Sequence, residues 1–357
     1  GFAHESASLR WNQLTTGVPA GLRRAAEAAE PEIGFAALVG CERAVALPST
    51  LHAFWDLFGA TCQPDVSILF DSAVYPVARF GIERAVTRGI PAEKFAHHDP
   101  VDLARRLGRL PARARPWIVT DGFCPGCLQL PPLAEYRRLI AARDGRLLVD
   151  DTQAVGLFGS APSKSLPFGH GGGGSLRRLA AVWPGVILIA SMAKALGVPV
   201  TMVAASAPFI ESFTEQSDTW VHCSPPSIAH LKAAALALAR NQVEGDQLRC
   251  RLLENVRAFR REMRDAGLPV RGGIFPLQRL IMPSLAAAAR VERGLADRGV
   301  QTVVERPRCR DEAAVTFIIT AGHDDAQARL AATVTRGVMR DFAQISHLMN
   351  PPMEASR

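Results

Sequence analysis

Apolar and polar positions alternate along this chain in two distinct periods. Short apolar runs bounded by charges or turn residues predict strands at Arg43–Leu47, Val66–Phe70, Trp117–Thr120, Arg146–Val149, Gly185–Ala190 and Val200–Ala204. Between them, apolar residues spaced three and four apart predict helices over Thr50–Gly59, Val77–Arg88, Val101–Leu107 and Pro132–Arg143, and a long one from Ile228 to about Ala266. Strand–helix alternation of this kind predicts an α/β fold whose mainly parallel sheet carries helices on both faces. After Gly267 the pattern changes. Pro269–Arg357 reads as a smaller α+β unit, with strands near Leu277–Met282 and Val315–Thr320 and a helix over Asp325–Met339. The expected division is an N-terminal segment over 1–35, a large domain over 36–240, and the long helix with a small C-terminal domain over 241–357.

Size supports two domains, because single cores stop growing near ~250–300 residues and this chain has 357. No run of about 18 uncharged apolar residues occurs, and the first thirty residues lack a signal-peptide layout, so a cytoplasmic protein off the membrane is expected. The net charge is +7, but the arginines are scattered among alanines and acids without interleaved aromatics. That pattern argues against nucleic acid and for anionic small molecules or a solvated surface. Seven cysteines in a chain this large read as reduced thiols. Cys124-Pro-Gly-Cys127 has the spacing of a redox or zinc pair, yet no second CxxC and no His pair completes four ligands in the sequence, and no metal is expected.

Only four of the 41 basic residues are lysines, Lys94, Lys164, Lys194 and Lys232. A lysine kept beside an apolar strand invites a chemical reason, since Lys can act as a neutral amine where Arg cannot. In Ile187-Leu188-Ile189-Ala190-Ser191-Met192-Ala193-Lys194-Ala195-Leu196-Gly197 an apolar strand ends in a serine, and a lysine follows before small residues and glycine. Pyridoxal 5′-phosphate (PLP) enzymes need this layout: an aimed amine, a hydroxyl for the phosphate, and little bulk beside the cofactor. A snorkelling lysine at a strand edge fits that segment equally well when it is taken alone. Leu147-Leu148-Val149-Asp150-Asp151 is a second apolar strand, ending on two carboxylates. A buried Asp needs a cation or donors, and a protonated pyridine nitrogen is such a partner; a metal pair is the rival. Leu47-Pro48-Ser49-Thr50 runs from strand to helix and offers hydroxyls and free N–H groups to an anion, or an ordinary N-cap. The run Gly169-His170-Gly171-Gly172-Gly173-Gly174 matches no nucleotide fingerprint and reads as a mobile active-site loop or a plain flexible one.

In order, these motifs resemble the fold-type I (aspartate-aminotransferase-like) PLP enzymes, most closely the α-oxoamine synthase family. The family strand VDDAHxxGxxG is matched by Val149-Asp150-Asp151-Thr152-Gln153-Ala154-Val155-Gly156-Leu157-Phe158-Gly159, and its lysine segment by Ser191–Gly197. Thr120-Asp121-Gly122-Phe123 opens a segment that echoes the family's TEGxFSMDGDxAPL. The resemblance implies PLP held on Lys194 as a Schiff base, Asp150 on the ring nitrogen, and Ser49, Thr50 and Ser191 on the phosphate. It puts Tyr75 over the ring, where the family has histidine, and Gln153 where another family histidine contacts the phenolic oxygen. Asp121 joins the cofactor-binding set, and His222 falls where the family reaches a phosphate across a homodimer interface.

The family's RLR strand aligns with Ala314-Val315-Thr316, so its carboxylate-binding arginine is missing; Arg306, Arg308 or Arg310 just upstream are the nearby substitutes. The implied reaction begins with an amine or amino-acid substrate at Lys194. It continues by C–C bond formation with an acyl thioester, or alternatively by aminotransfer to a keto acid, toward which Tyr75 and Gln153 lean. A non-catalytic or nucleotide-binding α/β scaffold is the contrasting class, and the absence of glycine from Ala46-Leu47-Pro48-Ser49-Thr50 speaks against it.

Overall fold

The computed structural model describes residues 10, 14–60 and 63–349. Of the N-terminal segment expected over 1–35, residues 1–9 and 11–13 lie outside the described residues. The chain divides into two compact units, Gly1–Cys124 with Gln129–Asp246, and Pro125–Leu128 with Gln247–Arg357.

The first unit is built on seven strands: β1 (Arg43–Leu47), β2 (Val66–Asp71), β3 (Ala92–Phe95), β4 (Arg115–Asp121), β5 (Arg146–Asp150), β6 (Val186–Ser191) and β7 (Thr201–Ala205). They form one sheet in the order β1-β7-β6-β5-β4-β2-β3. The pairs from β6 through β5, β4 and β2 to β3 are parallel, whereas β7 runs antiparallel to both β6 and β1. Because side chains alternate across a strand, the apolar runs feed two cores at once. Leu147, Val149, Val186, Leu188 and Ala190 enter one core, and Leu148, Ile187 and Ile189 the other. Continuous apolar runs, with no polar face, are therefore what this buried sheet requires.

In chain order the α-helices are α1 (Ala29–Val39), α2 (Thr50–Ala60), α3 (Pro76–Thr87), α4 (Pro100–Leu107), α5 (Leu133–Ile140), α6 (Gly174–Arg178), α7 (Ala207–Gln216), α8 (Asp218–His222) and α9 (Ile228–Asp265). The helix expected over Pro132–Arg143 tightens to a 3-10 turn after Ile140. β3 escapes prediction because Ala92, Glu93 and Lys94 form a partly exposed edge with no apolar run. The helix α1 escapes it because its buried residues, Pro31, Glu32, Phe35, Ala36 and Val39, include a proline and a carboxylate. Glu32 is buried for a reason: it accepts the Ala46 N–H of β1 at 3.0 Å and pairs with Arg24.

The glycine run is tied down, which corrects the expectation of a mobile loop. Gly156 N–H donates to Gly172 C=O at 2.7 Å, Gly174 N–H to Phe158 C=O at 2.7 Å, and Asn241 Nδ2 to Gly171 C=O at 2.9 Å. Gly171, Gly172 and Gly174 hold φ of 80°, 71° and 82°, a region that L side chains rarely adopt. A side chain at Gly174 would also collide with the Asp151 carboxylate. Glycine is used here for backbone conformation and close packing.

The second unit carries an antiparallel sheet of β8 (Leu277–Met282), β10 (Ala313–Ile318) and β9 (Val303–Glu305), in that order. Its core includes Val291 and Leu295 of α10 (Leu285–Ala296), and Ala332 and Val338 of α11 (Asp325–Met349). The helix α11 runs ten residues beyond the Met339 expected from periodicity.

Packing of α2 on α3 depends on one missing side chain. A Cβ at Gly81 would lie 2.5 Å from the Phe54 carbonyl oxygen and 2.6 Å from the Phe58 ring. Gly81→Ala is expected to destabilise by about 1–3 kcal/mol through overpacking. By contrast Gly337→Ala, on a helix face with nothing within 4 Å, is expected to stabilise by about 1 kcal/mol. Thermal unfolding of the two variants checks both signs.

Candidate active site at the strand ends

Strand register collects most of the expected residues along one edge of the sheet. Asp121 of β4 is paired with Asp150 of β5, and Asp150 with Ile189 of β6, two residues before Ser191. Ser191 in turn pairs with Thr201 of β7, and Thr201 with Leu47 of β1. The C-terminal ends of β1, β4, β5 and β6 therefore share one edge. Ser49 follows two residues after Leu47, Gln153 three after Asp150, and Lys194 three after Ser191. In parallel α/β sheets this is where ligands bind.

Hydrogen bonds lock the strand ends together. Thr152 Oγ1 accepts the Ser191 N–H at 3.0 Å, so the turn after β5 is tied to the end of β6. Asp150, 5% exposed, accepts the Thr152 N–H at 3.1 Å. Asp121, also buried, accepts the Tyr75 N–H at 3.0 Å and so fixes the start of α3 against β4. Tyr75 is the residue before Pro76 at that helix start, with its ring partly exposed. Ser49 precedes the first turn of α2, where its hydroxyl meets His52 Nδ1 at 2.8 Å, and Thr50 opens that helix. Gln153 is half-buried in the turn after β5, and Lys194 is exposed in the turn after β6. Ser191 Oγ accepts the Ala193 N–H at 3.3 Å, which shapes the turn that carries the lysine.

His222 is the exception. It ends the five-residue helix α8 and is exposed, on a segment that no strand register links to this edge. In the second unit, Ala314, Val315 and Thr316 are buried in β10, and Arg306 is paired with Asp311 at 3.2 Å. The sequence reading had passed over Thr152. Its signal was a hydroxyl directly behind a carboxylate pair at a strand end.

Asp150 and Asp151 differ sharply in setting. Asp151 is fully buried and its Oδ2 accepts the Ser175 N–H at 2.9 Å. Burial pushes its carboxyl up to about 7, against the lowering effect of hydrogen bonds from Ser175 and with a further push from the Asp150 charge. Gly122 and Gly174 leave it room, because a side chain at either would strike the carboxylate. Asp151 is a packed anchor behind the edge. Asp150 is the carboxylate the strand end offers.

This sheet and strand-end site define a fold-type I PLP-enzyme architecture. The chain superposes on a serine palmitoyltransferase from S. paucimobilis with a TM-score of 0.82 at 17% identity, covering 96% of this chain and 83% of that one. An 8-amino-7-oxononanoate synthase from Francisella tularensis gives 0.69 at 17% identity, covering 89% and 88%. No family model matches the sequence. In sequence it is 28% identical over 261 residues to an 8-amino-7-oxononanoate synthase from Thioalkalivibrio sulfidiphilus, covering 72% of this chain and 64% of that protein. It is also 28% identical over 313 residues to one from Aromatoleum aromaticum, covering 86% and 76%. The chain spans slightly under two thirds of the length of the first of these relatives. It is a distant member of the α-oxoamine synthase family.

The Asp151 environment has a pH signature. Unfolded, the carboxyl ionises near its ordinary 3.8; folded, it holds its proton up to about 7. Its contribution to stability is full below the unfolded value and is lost as pH rises through the folded one. Thermal unfolding of wild type and Asp151→Asn, compared from about pH 5 to about pH 8, should show wild type losing ground by an amount on the order of a few kcal/mol. A difference that stays flat across this range would rule out the buried, protonated carboxyl.

Proposed function

We propose that this chain is a PLP-dependent acyltransferase of the α-oxoamine synthase type. In this reading it joins an amino-acid substrate to the acyl group of a thioester. The observation that carries the proposal is the shared edge at which register aligns Asp121, Asp150 and Ser191, with Ser49, Tyr75, Gln153 and Lys194 on the turns that follow. The donor set fits PLP: a buried carboxylate for the ring nitrogen, an amine for the aldehyde carbon, an aromatic ring for the face, and hydroxyls at a helix start for the phosphate.

Bound at this edge, PLP supplies an electrophilic carbon for amines and a ring that accepts electrons from the substrate's α-carbon. The chain's own groups do the rest. Lys194 holds the cofactor by its amine and, once displaced by substrate, takes or returns the α-proton. Asp150, kept ionised by the Thr152 N–H, keeps a proton on the ring nitrogen and so preserves the electron-accepting power of the ring. Tyr75, whose backbone Asp121 fixes, covers one ring face. Gln153 donates a hydrogen bond toward the phenolic oxygen and carries no charge near neutral pH. Ser49, Thr50 and Ser191 hold the phosphate, and His222 reaches a phosphate only in a homodimer, which the same reading includes.

Aminotransfer is the second reading, favoured by Tyr75 and Gln153 standing where the family uses histidines. The two differ in what leaves: thiol from an acyl thioester, or a new amine on a keto acid.

The purified protein is expected to absorb visible light, and borohydride reduction is expected to fix a pyridoxyl label on Lys194 by peptide mapping. Lys194→Ala should lose both. Asp150→Asn should keep the cofactor and lose on the order of 10²-fold or more in turnover. Thiol release that requires both an amino acid and an acyl thioester supports acyl transfer; transfer of the amino group to a keto acid with no thiol release turns the assignment to the second reading. A colourless protein that takes up no PLP overturns both.

A further inference from the structure

The sequence leaves Cys124-Pro-Gly-Cys127 two ligands short of a metal site, and the fold brings up both. In the first unit, Asp71 ends β2 with a carboxylate only 1% exposed. Its Oδ1 meets His97 Nδ1 at 2.8 Å and accepts the Ala73 N–H at 2.8 Å, while its Oδ2 accepts the His98 N–H at 2.9 Å. His97, on the turn after β3, is thus held by one ring nitrogen in a fixed orientation, and its ring is hydrogen-bonded to the Cys124 thiol. Cys124 is itself buried.

The residues after Cys124 form a closed turn. Cys124 N–H donates to Gln129 C=O at 2.9 Å, and the two residues pair as an antiparallel bridge around Pro125–Leu128, with Leu128 at φ 63°. Two residues separate the cysteines on this turn, the spacing with which paired thiolates grip one ion. In the second unit, Cys309 lies on the turn after β9, and its thiol is within 4.8 Å of that of Cys127. Each unit therefore pairs two ligand atoms, His97 with Cys124 and Cys127 with Cys309, and the CxxC turn joins the pairs along the chain.

We propose that His97, Cys124, Cys127 and Cys309 bind one Zn2+ ion as a structural site, with Asp71 as the positioning carboxylate behind His97. Three thiolates and one imidazole are a closed tetrahedral set, which selects zinc over hard cations and leaves no position for substrate. A carboxylate on the far nitrogen of the ligating histidine is the arrangement that fixes tautomer and raises ligand basicity. The ion holds the turn that follows β4, three residues after Asp121, and so stiffens the strand end that fixes Tyr75.

The test uses the full-length, PLP-loaded protein. Elemental analysis is expected to find about one zinc per chain, released by a thiol-modifying reagent. Exchange into cobalt(II) is expected to give thiolate charge-transfer absorption with the intense ligand-field bands of a tetrahedral site. Cys124→Ser and Cys309→Ser should each lose at least about 10-fold in affinity against a colorimetric chelator and change the cobalt spectrum. Asp71→Asn should weaken affinity by about 10–100-fold with the cobalt spectrum kept, as a positioning residue would. Cys250→Ser, at an exposed cysteine, should change nothing. Where a variant fails to fold, the wild-type cobalt spectrum decides alone. Reduced wild-type protein without metal and without cobalt bands, a Cys124–Cys127 disulfide in the purified protein, or full affinity in Cys309→Ser would each overturn the site. None of these readouts depends on enzymatic activity.

Discussion

The hydrogen-bonded register of β6, β5, β4 and β2 is the constraint on which the rest of this structure depends. Parallel strands side by side must begin and end together, so residues far apart in sequence reach one edge when each closes its own strand. Asp71, Asp121, Asp150 and Ser191 each stand at a strand end. A one-residue slip of β5 would turn Asp150 into a core and bring an apolar side chain to the edge. The two-sided core opposes such a slip, because Leu148 and its neighbours Leu147 and Val149 are buried on opposite faces.

Polar groups at these ends are stable because each is answered locally. Asp71 accepts backbone donors and faces His97, Asp121 accepts the Tyr75 N–H, and Asp150 accepts the Thr152 N–H. Asp151, deeper, answers burial by keeping a proton. Four carboxylates from strand ends thus take four tasks: holding an imidazole, fixing a helix start, facing the proposed cofactor and anchoring the glycine-rich segment. Environment separates the tasks, since the side chain is the same in each.

Much of this was legible beforehand because strands buried on both faces write themselves as unbroken apolar runs. β1, β5 and β8 start where the sequence places them, and the parallel sheet follows from strand–helix alternation. β3 was not legible: a half-exposed edge strand of Ala, Glu, Lys and Phe carries no pattern. The glycine run misled because glycine signals freedom in a sequence, whereas in the fold it marks crowding, here against Asp151. Lys194, Asp150 and Ser49 were legible because each stands at an apolar strand end, where chemistry is the exception to packing.

By itself the sequence determined the strands, the order of the strand-end motifs, and the resemblance to the α-oxoamine synthase family, since all three are written in local patterns of residue type. Only the tertiary structure decided what those patterns meet. The tie from Thr152 to Ser191, the fixing of Tyr75 by Asp121, the burial that separates Asp151 from Asp150, and the pairing of His97 with Asp71 and Cys124 all join segments distant along the chain. Such contacts leave no periodic trace in a sequence, because strand register, and not spacing along the chain, brings their partners within hydrogen-bond reach.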